Sequence, residues 1–363
     1  MQIINVNIEN SYNIYVGISI DLIGNHIKKN LNPKKVIIVY DHKLQNLYLP
    51  QLNSSLLQEG FTVLSVPFVS SEQNKTLQNA FDLCNNILNC KIDKSTAIVA
   101  LGGGVVGDVV GFCASILLRG LPYVHVPTTL LAQVDSSIGG KTGVNTILGK
   151  NLIGTIYQPS AVFIDVTTLQ SLSAKDILSG YGECLKYALL FNKEYFYQLN
   201  SINLTNLSHE QIVDIIVKSC SYKSEIVALD VDESKGYRYL LNLGHTFAHA
   251  LESLNNYNEN LSHGEAVALG CLLALKFSSF LGLCNKDLIH DLENHLQNKL
   301  FRCTISSVVP KFNINNMLNF MMQDKKNHKG LLRMILFKDI GNCYVDNNVN
   351  IQSLHDFLIK ETI

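Results

Sequence analysis

Between Gln2 and about Val166, short runs rich in β-branched and aromatic residues alternate with stretches whose apolar positions recur every three or four residues. The clearest runs are Lys35–Asp41 (KVIIVYD), Phe61–Phe68 (FTVLSVPF), Thr96–Leu101 (TAIVAL), Tyr123–Val126 (YVHV) and Ala161–Val166 (AVFIDV). Strands that alternate with helices predict βαβ units and a mostly parallel sheet, with ligands at the carboxyl ends of the strands. Beyond about Ser171 the period lengthens to 3.6 and predicts helices, broken near the end where Lys329–Leu336 reads as a charged turn entering a strand. The pattern thus divides the chain into an α/β domain, residues 1–170, and an all-α domain, residues 171–363.

One helical stretch carries candidate chemistry. In Arg238–Glu265 (RYLLNLGHTFAHALESLNNYNENLSHGE) the first half reads as an amphipathic helix. His245, His249 and Glu252 share one face, and Phe247, Leu251 and Leu254 the other. Ser262 and Glu265, just before the apolar run AVALGCLLALKF, form a capping-box pattern that puts His263 in the first turn of the next helix. The positive end of a helix disfavours imidazolium, so His263 is expected in the neutral form a metal needs. The pair His245/His249 alone is equally a solvated face; with His263 it makes a divalent metal site a candidate. Glu183 and Lys186, one turn apart in Asp176–Phe191, read by themselves as a surface salt pair.

Composition narrows the class. A chain of 363 residues with 47% hydrophobic and 16% charged residues is long enough for two domains with ample cores. Net charge is −1 with no basic run, which leaves no electrostatic footprint for nucleic acid. No stretch approaches the roughly 18 apolar residues of a membrane helix, and MQIINVNIENSYNIYV lacks the cationic and apolar regions of a signal peptide. The nine cysteines include no CxxC, so a reduced, cytoplasmic compartment is expected.

Two glycine-rich segments follow predicted strands. Gly102-Gly103-Gly104-Val105-Val106-Gly107 satisfies G-x-G-x-x-G, and its glycines would let backbone approach a pyrophosphate at a helix N-terminus. It is not on the first strand, and no Asp or Glu lies between Asp108 and Asp135; Asp41, closing an earlier strand, is the carboxylate available for a ribose. The other reading is a tight strand–helix turn that needs small residues. Further on, Gly140-Lys141-Thr142 is not a P-loop, because Asp135 stands where that motif needs glycine. The polar segment with Lys141, Lys150 and Asn151 suits a phosphate on a small molecule, or else is a solvated loop.

Taken together, GGGVVGD, VPTTLLAQVDSSIGGKTGVN, GKNLIGTIYQP, GECLKYA, RYLLNLGHTFAHALE, SHGEAVALG and DKK resemble the 3-dehydroquinate synthase family of sugar-phosphate cyclases, in the family's order from about Asp41 to Leu336. The resemblance implies an NAD-binding α/β domain and a helical metal-binding domain. It implies conversion of 3-deoxy-D-arabino-heptulosonate 7-phosphate to 3-dehydroquinate and phosphate, in the shikimate route to aromatic amino acids. The family's chemistry runs through transient oxidation by NAD, β-elimination, re-reduction and aldol closure. By the same resemblance zinc or cobalt falls on Glu183, His245 and His263, with His249 beside them as a proton relay. NAD contacts fall on Asp41, Glu72, Lys75, Gly102, Gly103, Gly104, Asp108, Thr128, Thr129, Lys141, Lys150, Thr168, Leu169, Gln170 and Ser171. Substrate contacts fall on Arg119, Asp135, Lys141, Asn151, Lys186, Lys223, Arg238, Asn242, Lys325 and Lys326, and catalytic roles on Lys141, Lys186, Arg238, Asn242 and His249. Arg119 matches an arginine that reaches the phosphate from a neighbouring subunit, which implies a homodimer. Two departures are visible: the loop DVDESKGYR is one residue longer than the family's spacing, and Gly182 in GYGE is less usual. Rival readings are a cyclase of neutral sugars, against which Arg238 and Lys223 argue, an NAD-dependent polyol or glycerol-phosphate dehydrogenase, and a non-catalytic metabolite binder.

Overall fold

The computed structural model describes every residue except 205, 257, 259, 323–331 and 363. Each predicted apolar run becomes a strand: β1 Gln2–Val6, β2 Tyr12–Val16, β3 Lys35–Asp41, β4 Thr62–Phe68, β5 Thr96–Gly102, β6 Tyr123–Pro127, β7 Lys141–Thr146, β8 Gly149–Ile156 and β9 Ala161–Ile164 include all five. Seven of them form one sheet in the order β1-β2-β9-β6-β5-β3-β4. Only β1 and β2 pair antiparallel within it. The central strands β5, β6 and β9 are buried along their whole length, which is why they read as unbroken apolar runs rather than alternating ones. In-register pairs Tyr40–Leu101 and Gly102–Pro127 line up the carboxyl ends of β3, β5 and β6. Asp41, the glycine loop and Thr128 therefore leave the sheet along one edge.

The polar segment around Lys141 and Lys150 is a β-hairpin, with Lys141 opposite Ile156 and Thr146 opposite Gly149. Its alternation is thinned by Gly143, Gly149 and Gly154, which hid it in the sequence.

The chain divides into two compact units, Met1–Ser173 with Ser208–Asp232, and Ala174–Leu207 with Glu233–Ile363. This differs from a single cut at residue 170, because the helix His209–Leu229 groups with the first unit. Its apolar residues Ile215, Ile216, Cys220 and Val227 are buried. Lys223 Nζ donates to the carbonyl and the carboxylate of Asp135 at 2.7 and 2.8 Å.

The second unit is helical, with one addition to the all-α expectation: β10 Leu332–Asp339 and β11 Asn342–Val349 form an antiparallel pair. The first of these contains the strand foreseen after Lys329. The helix His263–Phe280 is apolar nearly all round, so it shows no amphipathic stripe and is buried on almost every side. Helices Ala174–Phe191 and His245–Leu254 pack on it. Among the described residues no helix is long and apolar enough to cross a membrane.

Candidate functional site

In the second unit the helix His245–Leu254 begins later than the amphipathic pattern predicts. Tyr237–Asn242 is a separate 3-10 turn, and Gly244 breaks the run with φ +75°. A side chain at Gly244 would also put its Cβ 2.6 Å from the backbone nitrogen of Cys271. The break starts a new helix at His245. Two further glycines set the helix contact next to the candidate ligands. A Cβ on Gly182 would lie 2.1 Å from the carbonyl oxygen of Gly264, and one on Gly264 would lie 1.7 Å from that of Ser179. The unusual Gly182 is thus a close-approach position, which the sequence treated as a bystander.

This contact brings together Glu183, His245 and His263, whose ligating atoms all lie within 4.8 Å of one another. Among the described residues no other group of three or more His, Cys, Asp or Glu side chains meets that test. The Nε2 atoms of His245 and His263 stand 3.5 and 3.4 Å from Glu183 Oε1. Both Glu183 carboxylate oxygens are buried and make no well-formed hydrogen bond. An anionic, buried carboxylate facing two imidazole nitrogens suits a divalent cation such as zinc, and three protein ligands leave a coordination position open. His249 lies to one side, its ring 5.4 Å from that of His245 and edge-on to it.

Charge at this cluster differs from expectation in two places. Lys186 pairs with Glu183 not at the surface but with both side chains at 2% exposure or less. Burial opposes the Glu183 charge, yet Lys186 and the two imidazoles hold its carboxyl well below the usual range. Burial lowers His245 to about 4. Burial also works against the His263 imidazolium, but the carboxylates of Glu183 and Glu252 push it up to about 10. Two nearby anions outweigh the helix terminus that was expected to keep His263 neutral. The capping box is also only half made: Ser262 accepts from the Glu265 backbone at 3.4 Å. The Glu265 side chain turns instead to Arg302, in two bonds of 2.6 Å.

Nearby, Arg238 is buried, with Nε 3.5 Å from Glu233 Oε1 in the charged loop. Asn242 donates to the carbonyl of Tyr239 at 2.9 Å. Lys325 and Lys326 lie outside the described residues.

In the first unit the predicted cofactor residues fall into one edge of the sheet and its hairpin. Gly103 is the N-cap of the helix Gly104–Ile116, and the Thr128 amide donates to Gly102 O at 3.0 Å. A Cβ on Gly103 would lie 3.1 Å from Thr129, and one on Gly104 2.8 Å from Ser136 Oγ. The loop is therefore a cradle of bare backbone at a helix N-terminus, which fits the pyrophosphate of a dinucleotide. Buried Lys75 bonds Asp108 at 2.5 Å and Asn151 at 2.6 Å, and burial nonetheless raises the Asp108 carboxyl. Glu72 accepts from Asn145 at 2.7 Å. Asp41 ends β3 and caps the turn after it. Thr168, Leu169, Gln170 and Ser171 share the turn Val166–Ser171. Lys141 and Lys150 are exposed on the hairpin, and Arg119 is exposed at a left-handed turn with φ +61°.

Sequence reasoning passed over three connecting residues. Gln133 is fully buried and donates to Pro127 O, Asp165 O and Thr168 Oγ1, tying the β6 end to the 166–171 turn. Asn145 holds Glu72 and Asn151 at once. Glu252 sits 3.3 Å from His263 Nδ1. Only Glu252 left a signal, its place on the histidine face of the helix.

The fold is shared with two solved synthases. A structure of 2-deoxy-scyllo-inosose synthase complexed with carbaglucose-6-phosphate, NAD+ and Co2+ matches with a TM-score of 0.86 at 23% identity, over 99% of this chain and 100% of that one. ValA, the 2-epi-5-epi-valiolone synthase of Streptomyces hygroscopicus subsp. jinggangensis with NAD+ and Zn2+ bound, matches with a TM-score of 0.86 at 24% identity, over 97% and 96%. In sequence, residues 65–179 match the 3-dehydroquinate synthase N-terminal family and residues 180–327 its C-terminal counterpart. The 3-dehydroquinate synthase of Thermodesulfovibrio yellowstonii is 38% identical over 353 residues, 96% of this chain and 97% of that protein. The chain belongs to the 3-dehydroquinate synthase family.

Proposed function

We propose that this chain converts 3-deoxy-D-arabino-heptulosonate 7-phosphate to 3-dehydroquinate and phosphate, as an NAD- and divalent-metal-dependent phosphate lyase. The observation that carries the reading is the Glu183, His245, His263 cluster with buried Lys186 beside it, in a chain of this family. Bound in the two sites, NAD would take and return a hydride, and zinc or cobalt would act as a Lewis acid toward a substrate hydroxyl. Glu183, His245 and His263 would hold the metal. Asp41, the 102–104 loop, Thr128, Thr129 and the 166–171 turn would hold NAD.

The remaining polar groups handle the substrate's own charges. Lys186 and Arg238 are cations in buried surroundings, where a charge-assisted bond to carboxylate or phosphate is strong. His249, partly exposed beside His245, is placed to pass a proton without being a ligand. Lys223 and Asp135, already joined, and Lys141 and Asn151 on the hairpin complete the substrate set. Exposed Arg119 suits a role in a homodimer, and a cytoplasmic location belongs to the same reading.

The test offers the heptulosonate phosphate and, separately, sedoheptulose 7-phosphate, with NAD and zinc. Phosphate release and a carbocyclic product from the first substrate alone, with no growth in NADH absorbance, is the expected result. Turnover of sedoheptulose 7-phosphate instead would favour a neutral-sugar cyclase, and NADH rising in step with substrate loss a dehydrogenase.

Arg238 supplies a sharper check. A guanidinium grips a planar carboxylate with two parallel bonds that an ammonium cannot reproduce. Arg238→Lys is therefore expected to lose about ten- to a hundredfold in kcat/KM while keeping its metal. An arginine that only braces Glu233 would instead lower the melting temperature and leave kcat/KM near normal.

A further inference from the structure

We propose that Glu252 is the positioning residue that fixes His263 as a metal ligand, by accepting a hydrogen bond from its Nδ1 and directing Nε2 at the metal. The inference rests on the metal reading of Glu183, His245 and His263 and goes beyond it, because Glu252 is not one of those three ligands.

The geometry is the same at both histidines, but the acceptors differ. At His245, Nδ1 faces the backbone carbonyl of Leu243 at 3.1 Å while Nε2 faces Glu183 Oε1 at 3.5 Å. At His263, Nδ1 faces Glu252 Oε1 at 3.3 Å while Nε2 faces Glu183 Oε1 at 3.4 Å. An ionised carboxylate and a carbonyl can only accept, so once a cation takes the place of any proton between Nε2 and Glu183, the hydrogen that remains on each ring sits on Nδ1. Leu243 does this with fixed backbone. Glu252 does it with a side chain, and adds a negative charge that makes the imidazole a better donor to the metal.

The fold explains why His263 needs the help. His245 is clamped at the start of its helix behind the Gly244 break, and its side chain is 12% exposed. His263, in the first turn of its own helix, is 34% exposed and has room to swing. Glu252 is held on the neighbouring helix, buried, two turns after His245, where its reach crosses to His263. One helix thus carries a ligand and the brace for the other.

The experiment titrates metal-free full-length protein with Co2+, read by its visible absorption bands, and measures zinc Kd by competition with a chromophoric chelator. The melting temperature of each metal-free protein is recorded alongside. Glu252→Ala is expected to weaken zinc about 10- to 100-fold and to change the cobalt spectrum. Glu252→Gln, which keeps an acceptor of the same shape without the charge, should fall between Ala and wild type. Equal zinc Kd and cobalt spectra in all three proteins would overturn the role of Glu252, even if Glu252→Ala melts lower. If Glu252→Ala does not fold, the nearly isosteric Gln variant decides on the same readouts. Failure of the wild type to bind one metal per chain would overturn the metal reading itself, an outcome visible before any variant is made.

Discussion

Glu183→Ala is expected to lose the bound metal and to unfold about 3–5 kcal/mol more easily than the parent chain. The second effect comes from Lys186, whose side chain is 2% exposed and pairs with Glu183. Removing the carboxylate leaves a buried ammonium without the Glu183 counter-charge. The double variant Glu183→Ala/Lys186→Met removes both charges and replaces the lysine stem with an apolar one of similar length. It should recover most of the stability and none of the metal binding. Urea unfolding of the metal-free proteins, with metal content by elemental analysis, separates the two effects. A single variant that unfolds at the parental urea concentration and retains one metal per chain would refute both the buried pair and the ligand role.

Gly264→Ala, a change of one methyl group, is expected to cost up to about 3 kcal/mol, the upper end of overpacking in a tight core. Its Cβ would stand 1.7 Å from the carbonyl oxygen of Ser179, and backbone cannot yield as a flexible side chain does. The helices Ala174–Phe191 and His263–Phe280 must therefore separate at the point where Gly182 and Gly264 meet. Glu183 follows the first of these glycines and His263 precedes the second, so the separation falls directly on two ligands. Misplacing reacting groups by about 1 Å costs roughly a hundredfold in rate, so activity should fall by about that factor with a weakened zinc affinity. Thermal unfolding and zinc competition on the purified variant provide the check. A variant with parental zinc affinity would mean that the helix contact does not set the ligand geometry.

These two glycines mark the limit of what could be read in advance. The strand runs were legible because a buried parallel strand needs consecutive apolar residues, and KVIIVYD, TAIVAL and YVHV each meet that need. The glycine loop was legible by its place after TAIVAL. The hairpin Lys141–Ile156 was not, since three glycines dilute its alternation. His263 at a helix start was foreseen from Ser262, but its charge was not, because Glu252 and Glu183 reach it from other helices. The helix His209–Leu229 carried no local mark of the unit it joins.

What the sequence determined by itself was the order of elements, the α/β and helical halves, the candidate ligand types and the family, because all of these depend on local periodicity or on motifs within a few residues. What only the tertiary structure decided was which of those residues meet. Glu183 and His263 are 80 positions apart, and their meeting depends on two bare backbones touching at Gly182 and Gly264. The burial that turns Glu183 and Lys186 from an ordinary helix-face pair into a charged core follows from that contact. Long-range packing sets both distance and dielectric, and neither is encoded in the spacing of residues along one helix.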